Sequence, residues 1–330
     1  MLYLGVFYLP EEGGAMITIN PENKQEWLEL RTQDITSTEI AALFGINPWV
    51  TEYELWHRKK SGLIVEIEEN ARLKWGLRLQ DAIAAGVAEE QGWNIRRMDE
   101  YGRIPELRIG ASFDFAILGI NPEIGGPGPI WKEELQGLLE IKNVDGLQFK
   151  KGWIVDGDNV EAPPYIELQV QHQLLVSGRA YAYIGALIGG NNLVLIKREP
   201  SPKIHEAIKQ KAAEFWELID KNYPPPPNFE TDSKFIASLY NYSEPGKVVD
   251  VAENEQIVKM AEEYKEAGDK IKVLDNMRDE IKARILTAIG DAEKATGGNF
   301  TVSAGMVGPA DVSYHREGYR TFKITWRKDK

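Results

Sequence analysis

The segment Leu138-Leu-Glu-Ile-Lys-Asn-Val144 sets two charged side chains, Glu140 and Lys142, into an otherwise apolar run. Such a run marks an interior strand of a sheet, where an ionised side chain is costly unless it is paired or serves a site. Side chains alternate along a strand, so Glu140 and Lys142 project together while Ile141 packs behind them. In Ile109-Gly-Ala-Ser-Phe-Asp-Phe115, Asp114 is similarly embedded between Phe113 and Phe115. If the two strands pair, Asp114 meets Glu140 at one edge of the sheet. Two carboxylates converging beside a lysine form an oxygen-ligand site for Mg²⁺ or Mn²⁺, with the ammonium placed to orient or deprotonate a water. Glu-x-Lys is also a common exposed cross-strand charge pair, and the apolar context is what separates the two readings.

The chain has no cysteine, which removes disulfides, thiolate zinc sites, cysteine-ligated iron–sulfur clusters and a thiol nucleophile. Its four histidines lack ligand spacing, and no Ser-His-Asp set stands out. The Gly/Pro-rich stretch Gly119–Pro129 lacks the following helix and lysine of a phosphate-binding loop. The net charge of −12 over 330 residues gives no global attraction to nucleic acid, so contact with DNA must come from local basic clusters. Candidates are Trp56-His-Arg-Lys-Lys60, Arg96-Arg97, Lys150-Lys151 and Lys197-Arg198. Such clusters are most often solvated faces; Arg58, Lys59, Lys60, Lys150 and Lys151 flank the elements nearest the Asp114/Glu140 pair and are the better candidates. Met1–Pro10 is apolar but has no basic leader region and is far shorter than the roughly 20 residues that cross a bilayer. The chain therefore reads as cytoplasmic and without membrane contact, with Met16 as a candidate start.

Helical spacing appears over Lys24–Arg31, Thr36–Phe44, Thr51–Ser61 and Glu68–Glu90, the second opening at a Ser/Thr cap. Ile109–Leu118 and Leu135–Val144 read as hairpin-like strands, followed by a helix near Tyr165–Ser177. Two strands, Tyr181–Ile188 and Leu193–Lys197, flank a Gly-Gly-Asn-Asn turn. The stiff Pro224–Pro227 run cannot lie inside a helix and marks a boundary. Beyond it, Ile257, Met260, Tyr264, Ile271, Leu274, Met277, Ile281 and Ile285 recur at spacings of three, four and seven within Glu253–Ile289. This predicts a helical hairpin or coiled-coil arm, with Gly268 as the candidate break. Alternation at Tyr319–Trp326 predicts a terminal strand pair. The expected organisation is an N-terminal leader over 1–20, a core over 21–223 and an extension over 224–330.

Taken in order, these segments resemble the YqaJ/lambda-exonuclease group of phage alkaline exonucleases, within the PD-(D/E)XK nuclease superfamily. The resemblance covers most of residues 25–200. It is carried by Trp27-Leu-Glu-Leu-Arg31, Ile35-Thr-Ser-Thr-Glu39, Asn47-Pro-Trp49, Leu55-Trp56, Trp75-Gly76, Ser112-Phe-Asp114, Glu140-Ile-Lys142 and Gln169-Val-Gln171. It implies an α+β protein with an α/β-like, restriction-endonuclease-like core: a mixed central sheet flanked by helices, then a C-terminal helical arm and terminal strands. It implies that Asp114, Glu140 and the Ile141 carbonyl bind metal, that Lys142 is the catalytic lysine, and that Gln171, or else Gln169, supports the site. Arg31, Thr38 and Ser112 match a pocket for a terminal 5′-phosphate, for which a guanidinium and hydroxyls are suited. Two positions depart from the pattern. Gln80 stands where a Glu is common, with Asp81 about 100° away around the helix as an imperfect substitute, and Phe113 replaces the usual Pro.

The implied activity is a Mg²⁺-dependent 5′→3′ exonuclease, with Mn²⁺ able to substitute, acting on double-stranded DNA ends in phage or prophage recombination. The resemblance also implies a ring-shaped homo-oligomer, often a trimer, and a single-strand annealing protein as partner. A related endonuclease or single-strand nuclease, and a non-catalytic DNA-binding or assembly protein retaining the fold, remain as alternatives.

Overall fold

The computed structural model describes residues 5–7, 16–64, 70–120, 137–157, 159–316 and 318–326, and the chain divides into two units, Met1–Phe235 and Ile236–Lys330. The proline run therefore stays with the first unit, and α8 below lies at the division. The first unit begins with β1 (Gly5–Phe7), β2 (Met16–Ile19), α1 (Lys24–Thr32), β3 (Ile35–Thr36), α2 (Ile40–Leu43), α3 (Glu52–Ser61) and α4 (Ala71–Gln91). Then come β4 (Trp93–Arg97), β5 (Tyr101–Ile104), β6 (Ile109–Ser112), β7 (Phe115–Ile120), β8 (Gly137–Val144) and α5 (Gly146–Gly152). The unit continues with β9 (Ile154–Asp156), β10 (Asn159–Glu161), α6 (Pro164–Ser177), β11 (Tyr181–Ile188), β12 (Asn192–Arg198) and α7 (Pro202–Asp220), and α8 (Ser233–Leu239) spans the division.

Two five-stranded mixed sheets result, giving the α+β class expected. One has the order β12-β11-β8-β7-β4, with β11 and β8 parallel and the other neighbours antiparallel. The other has the order β1-β2-β5-β6-β3, with β3 and β6 parallel. Residues 5–7 and 16–19 thus contribute strands to a sheet of the first unit. The segment Ile109–Leu118, expected to be one strand, is two: β6 ends at Ser112, β7 starts at Phe115, and each belongs to a different sheet. The chain makes the same change between β4 and β5, and the Met98 N–H donates to the Asp114 carbonyl at 3.0 Å. Asp114 therefore sits where two crossings between sheets are tied together. Most of the Gly119–Pro129 loop lies outside the described residues.

Alternation along β8 assigns its faces. Leu139 and Ile141 pack with Ile83, Ala84 and Val87 of α4, whereas Leu138 joins the larger core with Val170 and Leu174 of α6. Glu140 and Lys142 share the face of Leu138 and so look toward α6. Thr36–Phe44 is not one helix: Thr36 ends β3, the helix is only Ile40–Leu43, and its cap Glu39 makes no side-chain capping bond. That carboxylate is engaged elsewhere, as described below.

In α6, the stretch Gln169-Val-Gln-His-Gln173 buries four polar side chains, each hydrogen-bonded: Gln169 and Gln173 to Glu140, Gln171 to the Glu199 carbonyl and His172 to the Gly110 carbonyl. His172 Nε2 lies 3.1 Å from the Gly110 carbonyl. Burial pushes its pKa down to about 4, with the Gly110 carbonyl opposing. The unfolded chain therefore takes up this proton more readily. The neutral ring's contribution is complete above the ordinary histidine pKa and is lost as pH falls toward 4, a change of about 3 kcal/mol. Urea unfolding at about pH 7.5 and about pH 4.5 measures it. His172→Leu is expected to narrow the stability difference between the two conditions by roughly 2 to 3 kcal/mol, and an unchanged difference would count against this role.

The second unit contains α9 (Glu255–Ile289), a single helix of 35 residues, and a hairpin of β13 (Lys294–Thr296) with β14 (Thr301–Ser303). The expected break at Gly268 is not made; one glycine in an exposed helix costs only about 1 kcal/mol. The terminal strand pair lies at 294–303, and the described residues of Tyr319–Trp326 carry no strand. Among the described residues no helix is long and apolar enough to cross a membrane.

Candidate active site

The antiparallel register sets Phe115 opposite Leu139, which carries Asp114 to the flank of Glu140 and Ile141. Asp114 Oδ2 accepts from the Ile141 N–H at 2.8 Å. Glu140 is buried and ringed by donors: Lys142 Nζ at 2.7 Å and Gln169 Nε2 at 2.6 Å on Oε1, and Gln173 Nε2 at 2.7 Å on Oε2. Lys142 Nζ also donates to Gln169 Oε1 at 3.0 Å. An ammonium has three donors, so one of Lys142's is left for a further acceptor. Burial and then the neighbouring Glu140 charge push the Asp114 pKa up to about 7, against Lys142, the Ile141 N–H and a Gln80 hydrogen bond. Burial alone would lower Lys142, but Glu140 and Asp114 together hold its ammonium above the usual range.

The helix glutamine at this site is Gln169, accompanied by Gln173. Gln171 faces away: its amide donates to the Glu199 carbonyl and accepts from the Ser201 N–H, holding the turn into α7. Positions 169 and 173 are four apart and share a helix face, whereas 171 lies about 200° from 169. That spacing could have identified Gln173, which sequence reasoning missed. On α4, Gln80 reaches Asp114, while Asp81 is exposed and ion-paired with Arg97. Asp81 is therefore no substitute for the missing glutamate. Among the described residues no group of three or more Asp, Glu or His side chains converges.

A second cluster joins the predicted phosphate-pocket residues. Arg31 donates to Thr36 Oγ1 at 3.4 Å and Thr38 Oγ1 at 3.3 Å, and its guanidinium lies 4.5 Å from the Trp27 ring centroid. Trp27 Nε1 donates to Ser112 Oγ at 2.9 Å. Gln173 Nε2 donates to the Ser112 carbonyl at 3.1 Å as well as to Glu140. Ser112 thus links the arginine cluster to the carboxylates. A cavity beside this cluster is lined by Lys24, Trp27, Arg31, Glu39, Arg58 and Lys59.

The basic run Arg58–Lys60 is not an open DNA-contacting face. Lys59 is buried, donating to Glu39 at 2.8 Å and to the Arg31 carbonyl at 2.6 Å. Lys60 donates to the Ile219 carbonyl at 3.0 Å, and Arg58 pairs with Glu54. Leu55 and Lys59 are one helical turn apart and both face inward. Lys150 and Lys151 do lie exposed, on the last turn of α5.

The α+β fold thus carries Asp114 beside Glu140-x-Lys142 on a mixed sheet flanked by helices. Residues 26–180 match the model of the YqaJ-like viral recombinase domain. A curated relative, the uncharacterized protein YqaJ of Bacillus subtilis (strain 168), is 26% identical over 284 residues, covering 84% of this chain and 82% of the relative. Among solved structures, the alkaline exonuclease LHK-Exo of Laribacter hongkongensis aligns with a TM-score of 0.44 at 18% identity, covering 66% of this chain and 100% of that one. The structure named SSO0001 aligns with a TM-score of 0.33 at 13% identity, covering 68% of this chain and 98% of that one.

Proposed function

We propose that this chain is a metal-dependent deoxyribonuclease that removes nucleotides in the 5′→3′ direction from the ends of linear double-stranded DNA. The observation that carries this reading is the Ser112 link, which couples a carboxylate–lysine centre to an arginine–threonine cluster suited to a terminal phosphate. The family match adds a setting in viral recombination. We assign the catalytic role to the first unit.

The donor set fits a hard divalent cation, Mg²⁺ with Mn²⁺ as substitute. Asp114 and Glu140 stand close enough to raise Asp114 through charge repulsion, and two adjacent carboxylates with a strand carbonyl at Ile141 are oxygen ligands of the required hardness. When bound, such a cation supplies charge neutralisation at the scissile phosphate. Gln80 brings no charge, so among the described residues two acidic side chains, Asp114 and Glu140, serve the site.

The remaining work falls to side chains already in position. Gln169 and Gln173 fix both oxygens of Glu140. Lys142 keeps its proton, and its remaining donor can orient the attacking water or a phosphate oxygen. Gln80 holds Asp114 from the α4 side. Arg31 and Thr38 hold the 5′-phosphate and set which bond reaches the carboxylates, and exposed Lys150 and Lys151 contact the DNA backbone without reading sequence.

Comparing 5′-phosphorylated with 5′-hydroxyl linear duplexes tests the polarity and the pocket. The expected result is faster degradation of the phosphorylated end and a loss of that preference in Arg31→Ala, with a nicked circle resisting both proteins. Equal rates on both ends would remove the phosphate-pocket assignment, and cleavage of the circle would favour the endonuclease reading.

A further inference from the structure

The helix α9 is about 50 Å long and keeps a heptad seam that its own unit leaves largely open. Ile257, Met260, Tyr264, Ala267, Ile271, Leu274, Arg278, Ile281, Ile285 and Ala288 follow one another at alternating steps of three and four, the pattern of a and d positions. Ile271 and Leu274, at the middle of the helix, are 60% and 63% exposed. Phe322 meets Tyr264 edge-on at 5.3 Å between ring centroids, yet Tyr264 remains 56% exposed. Leaving such a stripe in water is costly, and a coiled-coil partner would bury it along its whole length.

We infer that this seam takes the same helix of a second copy of the chain, running antiparallel. Arg278 decides the direction. In a parallel pair in register, Arg278 would face its own copy inside the seam, setting like charges together in an apolar layer. In an antiparallel pair centred between Val273 and Lys272, Arg278 falls opposite Ala267, whose small side chain leaves room for the arginine stem to run outward. The same register matches Met260 with Ile285, Tyr264 with Ile281, and Ile271 with Leu274. It also brings Glu263 of one copy opposite Arg284 of the other, an attractive flanking pair. Heptad spacing, size complementarity at Arg278 and charge complementarity at Glu263 thus agree on one register. The pairing is two-fold and concerns only the second unit, so it joins two copies whatever order the first units adopt among themselves.

The absence of native cysteines allows a clean test on the full-length chain. Met260→Cys and Ile285→Cys are made as separate proteins and treated with a short bismaleimide, alone and mixed. In the antiparallel register residue 260 lies beside residue 285 of the other copy, and two copies of residue 260 are roughly 37 Å apart. The expected result is a covalent dimer in the mixture and none from either variant alone. Adding Leu274→Asp to both proteins should abolish it. Self-crosslinking of Met260→Cys alone would show a parallel pair and overturn the inference, as would the absence of dimer in the mixture.

Discussion

Replacing Lys59 with methionine is expected to lower the unfolding free energy by about 3 to 5 kcal/mol, the range for breaking one side of a buried ion pair. The lysine side chain is only 4% exposed and its ammonium is shared between Glu39 and the Arg31 carbonyl. Burial pulls the ammonium below its usual range and Glu39 restores only part of that, since Arg31 repels it. Burial also acts to raise Glu39, but Lys59 and then Arg31 bring that carboxyl below its ordinary value. Without Lys59, Glu39 keeps its bonds to the Thr36 N–H and hydroxyl but loses its nearest cation. Glu39→Gln added to Lys59→Met should therefore recover at least half of the loss, because the second change removes the stranded charge. Urea denaturation of the two variants measures this. A loss under about 1 kcal/mol in Lys59→Met would place the pair with exposed salt bridges and refute its role in holding the Arg31 cluster.

That role could not be read from the sequence, where Arg58-Lys59-Lys60 looks like one basic face. Successive helix residues point about 100° apart, so three adjacent cations cannot share a face, and the turn carrying Leu55 takes Lys59 inward. What was legible was what periodicity controls. The helix Thr51–Ser61 is found as Glu52–Ser61 capped by Thr51, and Tyr181–Ile188 is found with the bounds expected. The common orientation of Glu140 and Lys142 followed from strand alternation alone. What was not legible depends on long-range partners. Nothing local separates Ile109–Ser112 from Phe115–Ile120, because both are apolar; the break at Phe113-Asp114 exists because the two strands join different sheets. Strands β4 and β5 and helix α7 were not anticipated, since Arg96 and Arg97 on β4 and the charged outer face of α7 mask their apolar sides. Gln169 and Gln173, rather than Gln171, face Glu140 because α6 is buried on several sides at once and offers its polar residues more than one partner.

In the proposed function Glu140 and Lys142 serve a nucleolytic centre rather than a structural charge pair. Glu140→Gln keeps the size of a side chain held by three donors but removes the charge that a cation requires. Lys142→Met keeps most of the packing volume and removes the donor. Each change is expected to reduce turnover about a thousandfold, the scale on which positioned acid–base and charged groups act. Because Glu140 and Lys142 form one hydrogen-bonded unit, the double variant should be little worse than either single one. The most direct measurement is the rate at which nucleotides are released from a linear 5′-phosphorylated duplex, with Mg²⁺ and with a chelator, for the parent chain and these variants. The expected result is release that requires the cation and is lost in both variants while their thermal unfolding stays cooperative. Parental rates in folded Glu140→Gln and Lys142→Met, or a parent chain that releases nothing with Mg²⁺ present, would contradict it.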